Sequence, residues 1–126
     1  MRQTELTRDE KDVTEQIEKE KKLLDEVSKR HQQEKVLMIK VPLNDAYTEF
    51  AYGFIKYPDR SDVSIAMTME ATDPLRGKEI VLRNNWLEGD RRILDETELF
   101  LSATTALDDI LAVRQAIVKK NWMSGL

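Results

Sequence analysis

Residues 72–90, Thr-Asp-Pro-Leu-Arg-Gly-Lys-Glu-Ile-Val-Leu-Arg-Asn-Asn-Trp-Leu-Glu-Gly-Asp, put a helix start, an apolar centre, a large aromatic and a glycine stop into one run. Asp73 is a helix cap, and Pro74 follows at the first helical position, where its missing N–H costs nothing. Leu75, Ile80, Val81, Leu82 and Trp86 are apolar nearly all round a helix, so the spacing predicts the most buried helix of the chain over 73–90. Gly77 at mid-helix is unfavourable by up to about 1 kcal/mol relative to alanine, which points to a close helix contact there. Gly89 can take a positive φ and closes the helix. The rest of the chain is expected to pack against this stretch.

At 126 residues the chain is one domain by size, with enough material for one modest core. A net charge of −4 argues against non-specific nucleic-acid binding, which needs clustered Lys and Arg to displace counterions. There is no cysteine, hence no disulfide and no thiolate nucleophile or metal ligand, and the single histidine, His31, excludes a multi-histidine metal centre. No apolar run approaches the roughly 20 residues needed to span a bilayer, and the N-terminus has no apolar signal core. A cytoplasmic protein is expected.

Residues 1–35 form a charged helical arm. Thr7-Arg8-Asp9-Glu10 has the form of a capping box, with Asp9, Glu10 and Asp12 at the positive end of the dipole. Glu15/Lys19, Glu18/Lys22, Asp25/Lys29 and Glu26/Arg30 are spaced for i,i+4 pairs, each contributing about a few tenths of a kcal/mol. Leu6, Val13, Ile17, Leu24 and Val27 fall on heptad a and d positions, but Glu10, Glu20 and His31 share that seam. The helix is therefore expected to lie by a thin stripe on its own domain or a neighbour, or to zip as a coiled coil to another subunit. His31 is expected to be an exposed helix residue.

The body spans residues 36–120. Val36–Val41 and Tyr47–Tyr57 read as an antiparallel hairpin about the turn cluster 42–46. Phe50, Tyr52 and Phe54 share one face at period 2, and Ala51, Gly53 and Ile55 share the other. A lone hairpin is marginal in water, so its aromatic face needs helices over it or strands from another chain beside it. Gly53 marks a close approach, such as that of a helix backbone. Asp59 caps a second helix with Val63, Ala66 and Met67 on its inner stripe. Asp95-Glu96-Thr97-Glu98 caps the last helix, whose apolar stripe runs Leu99, Ala103, Ala106, Leu107, Ile110, Val113 and Ile117. Lys119 and Lys120 suit its C-terminus, and residues 121–126 form a flexible tail with Trp122 as a contact candidate. The fold class is α+β and mainly helical: a long charged N-terminal helix, one antiparallel β-hairpin, then three helices.

Glu88, Asp90, Asp95 and Glu96 are the best candidates for carboxylate chemistry or a divalent cation, but capping and solvation account for each. The alternating acids of a calcium loop are missing, as are phosphate-binding and nucleophile motifs. No catalytic, cofactor-binding or metal-ligating residue is assigned, and enzymatic activity is not expected.

The order of motifs resembles that of the small tail assembly chaperones of tailed bacteriophages. The residues that carry the likeness are Phe50-Ala51-Tyr52-Gly53-Phe54-Ile55, then Pro58-x-Arg60, Asp73-Pro74-Leu75, Glu79-Ile80-Val81-Leu82-x-Asn84-Asn85-Trp86-x-x-Gly89-Asp90, and Leu99-Phe100-Leu101-Ser102-Ala103. They span roughly residues 36 to 120. The charged arm lies outside them, and relatives often carry cysteine where Asn85 stands. The resemblance implies a viral protein that binds the aggregation-prone tape measure protein in the host cytoplasm, keeps it soluble during tail assembly, and is generally absent from the finished particle. It also implies a second, longer product made by ribosomal slippage, for which Lys119-Lys120-Asn121 marks a candidate site. Partner binding is expected at Phe54, Met67, Leu82, Trp86 and Trp122, and a homo-oligomer through the N-terminal helix or the hairpin is compatible with the pattern. Two other readings remain open: a structural particle component such as a neck or tail ring subunit, and a regulatory protein-binding module.

Overall fold

The alternation in the hairpin sends two sets of side chains to two different partners. A computed structural model describes residues 8–112 and 115–122. The cap expected at Thr7, with Leu6 and Val113 of the two apolar stripes, lies outside these residues. In chain order the elements are α1 (Arg8–His31), β1 (Val36–Pro42), β2 (Phe50–Lys56), α2 (Arg60–Met69), α3 (Pro74–Asn85), β3 (Trp86–Gly89), the single turn α4 (Arg92–Asp95) and α5 (Thr97–Leu111). The fold is α+β and mainly helical. Its sheet has three antiparallel strands in the order β1-β2-β3.

Residues paired across antiparallel strands share a face. Ile39 pairs with Gly53 and Val41 with Ala51. These four, together with Ile55, are buried against α3, α4 and α5, where Val81, Leu82, Ile93, Leu99, Ala103 and Leu107 complete the core. Each large aliphatic taken fully out of water here contributes about 1.5–3 kcal/mol. The opposite face carries Met38, Lys40, Tyr52 and Phe54, and α1 lies across it, with Val27 buried between helix and sheet. The aromatic face is thus covered by the chain's own arm.

The reading of residues 73–90 as one helix is corrected by the structure. The start is as expected: Asp73 Oδ1 accepts from Arg76 N at 3.1 Å, with Pro74 next. The helix stops at Asn85, whose Nδ2 donates to Val81 O at 2.8 Å, the carbonyl one turn back that a helix assigns to the Asn85 backbone N–H. Trp86 is extended and begins β3. Its ring lies over Gly53: a Cβ on Gly53 would meet Trp86 Cη2 at 2.6 Å and Cζ3 at 2.7 Å. The close approach foreseen at Gly53 is therefore that of an aromatic ring, not of a helix backbone. Gly89 has φ +133° and presses on β2, where a Cβ would meet Tyr52 O at 2.4 Å. The positive φ expected of Gly89 is present, at the end of a strand. Leu75, expected inside, is 45% exposed.

A β-bulge sits in β3. Gly53 pairs with Gly89 and Phe54 with Glu88, but Ile55 pairs with Trp86, which leaves Leu87 as the extra residue. Without it Glu88 would point into the core. With it Glu88 turns to the α1 face, where the Arg30 guanidinium pairs with its carboxylate and His31 Nε2 lies 3.1 Å from Oε1. His31 is therefore a half-buried partner of β3, not a free surface residue. At the middle of α1, Glu20 Oε2 lies 3.0 Å from Lys40 Nζ, and Gln16 Nε2 donates to the Tyr52 hydroxyl at 3.2 Å. The four i,i+4 pairs expected along α1 are not formed among the described residues; Glu20, Arg30 and His31 reach the sheet instead.

The helix ends follow local rules in part. Asp59 and Asp62 form a reciprocal capping box on α2. α1 ends in a Schellman pattern, Gln33 N to Ser28 O and Gln32 N to Lys29 O, with Gln32 at φ 54° where glycine is the usual choice. The cap expected at Asp95–Glu98 does not form. α4 occupies Asp95, and Glu96 precedes α5 without a side-chain bond to it. α5 stops at Leu111, short of the expected stripe, and Ile117 beyond it is 84% exposed. Asp108 and Asp109 in its last turn put negative charge at the negative end of the dipole, an unfavourable arrangement that the Lys78–Asp108 pair offsets in part.

Gly53→Ala tests the ring-over-glycine contact. The added methyl forces Trp86 to move, and the expected loss is about 1–3 kcal/mol, the usual range for overpacking. Urea unfolding followed by circular dichroism measures it. A loss no larger than that of an exposed substitution would remove Gly53 as the seat of Trp86.

Candidate functional site: a groove between α2, α3 and α5

Gly77 sets how closely α2 and α3 approach. A Cβ there would lie 3.2 Å from Met69 Cβ and 3.5 Å from Ala66 Cα, so the helix contact foreseen from a mid-helix glycine is present. With α2 held this low on α3, and α5 packed on the other side of α3, a groove of about 360 Å³ opens between the three helices. Val63, Ala66 and Met67 form one wall, and Leu111 of α5 the other. Lys78 and Asp108 close it across the middle, Nζ to Oδ1 at 2.8 Å. Glu70 and Ala112 stand at its rim. The surface is apolar with one ion pair, which suits a side chain cluster from another polypeptide better than a small polar molecule.

The five residues expected to bind a partner do not come together. Phe54 is buried under α1, and Leu82 is fully buried in the core, so both hold the fold and neither presents a surface. Trp86 is half-buried over Gly53. Met67, read as part of an inner stripe, is 67% exposed and lines the groove. Trp122 is 75% exposed on the segment after α5, with Lys120 Nζ 5.7 Å from its ring centroid. Sequence reasoning missed Leu111 and the Lys78–Asp108 pair. A signal was present: Asp108 follows Leu107 directly, and an acid beside an apolar stripe marks where that stripe meets a boundary.

Three of the four acids singled out for chemistry, Glu88, Asp90 and Asp95, face basic side chains. Glu88 serves α1. Asp95 lies 3.6 Å from Arg83. Asp90 accepts from the Arg92 side chain and from its backbone N–H, and both hold its carboxyl below the usual range. Hydrogen bonds from Arg76 and Arg83 do the same for Glu79. A carboxyl kept ionised by a guanidinium is an acceptor and a poor proton donor near neutral pH. Among the described residues no group of three His, Asp or Glu side chains gathers to hold a metal ion, and no helix is long and apolar enough to cross a membrane.

No family model matches the chain, and neither a curated protein nor a solved structure matches it.

Two outcomes follow from this geometry. Leu82→Ala, at a fully buried site, is expected to destabilise by about 2–5 kcal/mol, whereas Met67→Ala, on the groove wall, stays within about 0.5 kcal/mol; equal losses in urea titrations would contradict the division into core and groove. Glu79 has a folded pKa below its ordinary value, so its contribution is present above that ordinary value and is lost as pH falls through the lowered one. Urea midpoints measured downward from neutral pH are expected to fall less steeply in Glu79→Gln than in the wild type, and parallel profiles would show that the Arg76–Glu79–Arg83 ladder does not shift this carboxyl.

Proposed function

We propose that this chain is a tail assembly chaperone of a tailed bacteriophage, holding the tape measure protein soluble in the host cytoplasm until it is packed into the tail tube. The single observation that carries the reading is the groove. It is open and walled by flexible and aliphatic side chains, and methionine adapts to different partner side chains. An amphipathic helix of a long apolar client can lay one stripe in it, with polar groups of the client meeting Lys78, Asp108 and Glu70 at its floor and rim. The resemblance in motif order supplies the client. In this fold those motifs are structural: the aromatic strand is β2, Asp73-Pro74 starts α3, and Trp86 to Gly89 is β3. They therefore support likeness of framework, and the groove supports likeness of task.

The alternative, a neck or tail ring subunit that shares its sheet with a neighbour, has one observation in its favour. β1 is an outer strand of seven residues, and the hydrogen-bond alternation with β2 turns the backbone groups of Val36, Met38 and Lys40 to its open edge. Lys40 and Pro42 on that same strand are devices that discourage strand addition, so the chaperone reading is favoured.

Co-expression with the tape measure protein encoded in the same gene cluster is the test. The expected outcome is a higher soluble yield of that protein, its co-purification with this chain, and loss of both on Met67→Glu, with the far-ultraviolet spectrum unchanged. No gain in yield and no co-purification would reject the proposal. Recovery of the chain from purified particles by mass spectrometry would favour the structural reading.

A further inference from the structure

Two halves of one contact stand open on the same chain. The first is the α2–α3–α5 groove, lined by Glu70 and Asp108, with the exposed Asp109 next to Asp108 in the chain. The second is the segment after α5. It carries Ile117, Val118 and Trp122 at 84%, 76% and 75% exposure, interleaved with Lys119 and Lys120. Three large apolar side chains in eight residues, left in water together, form the kind of patch that marks an interaction surface. The charges are complementary: two lysines stand between the apolar residues of the segment, and Glu70, Asp108 and Asp109 outnumber the single Lys78 at the groove.

We propose that two copies of this chain pair reciprocally, the segment 115–122 of each lying in the α2–α3–α5 groove of the other. The chain's own segment does not fill its own groove: α5 delivers the backbone to the rim at Leu111 and Ala112, and the residues beyond remain exposed. In a pair, one operation satisfies both copies, the self-complementary arrangement of a two-fold dimer. The apolar stripe along the last third of the chain then has two destinations. Leu99, Ala103 and Leu107 fill the copy's own core, and Ile117 with its neighbours serves the partner copy. The inference needs the groove alone and not the identity of any client. If the groove also takes a client, the partner's segment competes for it, and the pair is the form that keeps the groove covered until the client arrives.

Sedimentation equilibrium of the full-length chain, with two variants, tests the pairing. Met67→Glu spoils the groove and leaves the segment intact; Ile117→Asp spoils the segment and leaves the groove intact. Both sites are exposed in the single copy, so circular dichroism should show both variants folded. The wild type is expected to reach twice the mass of one chain, and each variant to dissociate at least about tenfold more readily. Mixing the two variants is expected to restore a mixed dimer, because one intact segment then meets one intact groove. Added salt should weaken the wild-type dimer by screening the lysine–carboxylate contacts. A wild-type monomer at every concentration, whether because the segment folds onto its own groove or stays free, overturns the proposal. So does a dimer indifferent to both substitutions, or one that both abolish and mixing does not restore. A monomeric chain that still co-purifies with the tape measure protein leaves the chaperone reading standing. A dimer that never binds that protein does the reverse.

Discussion

The structure depends on one tight stacking: the Trp86 ring against the bare backbone of Gly53. A side chain on Gly53 is excluded by the 2.6 Å that its Cβ would have to the ring. The indole in that place takes the chain out of α3 and onto the edge of the sheet. Gly89 then closes the other end, lying so near Tyr52 O that only a residue without a side chain, at a φ that glycine adopts freely, fits. A helix, a strand and a sheet edge are thus fixed by three residues. The hairpin becomes a three-stranded sheet, large enough to support a helix on each face.

The same junction decides what α1 does. The bulge at Leu87 turns Glu88 away from the core and toward Arg30 and His31. Exposed ion pairs contribute little one at a time, about 0–1 kcal/mol. Here they flank the apolar contact at Val27, so they set the direction in which α1 crosses the sheet more than the strength with which it holds. In the N-terminal part of the helix Val13 and Ile17 are 59% and 60% exposed. The arm is anchored to the sheet by contacts along the stretch from Gln16 to His31.

Much of this was legible in the sequence, and the failures share a cause. Period-2 alternation located the hairpin and its two faces. Asp59, Asp73 and Pro74 located two helix starts, because caps are local chemistry. Gly77 announced the α2–α3 contact. What could not be read was the switch at Trp86. A run of Ile80, Val81 and Leu82 followed by Trp86 and Leu87 fits a buried helix as well as a helix followed by a strand, and only the shape of Gly53 on a distant strand decides between them. Phe54 and Leu82 read as partner contacts for the same reason: apolarity does not say which neighbour will cover a side chain. For Phe54 the neighbour is α1, and α1 lies there because of a bulge that no local signal marked.

Where α5 ends is a second contest between local and distant terms, and it bears directly on the groove. The apolar spacing continues past Leu111 to Ile117, and Lys119 and Lys120 would suit the last turn of a helix reaching that far. Asp108 and Asp109 point the same way, since they are tolerable in the interior of a longer helix and unfavourable at the end of a short one. Pairing with Lys78 gives Asp108 a partner from another helix, and so relieves part of the repulsion at the end that α5 now has. The charge that closes the groove floor and the charge that lets α5 stop early are therefore one carboxylate. Whatever draws Asp108 away from Lys78 removes a reason for α5 to end at Leu111, and this couples occupancy of the groove to the conformation of the segment that follows it.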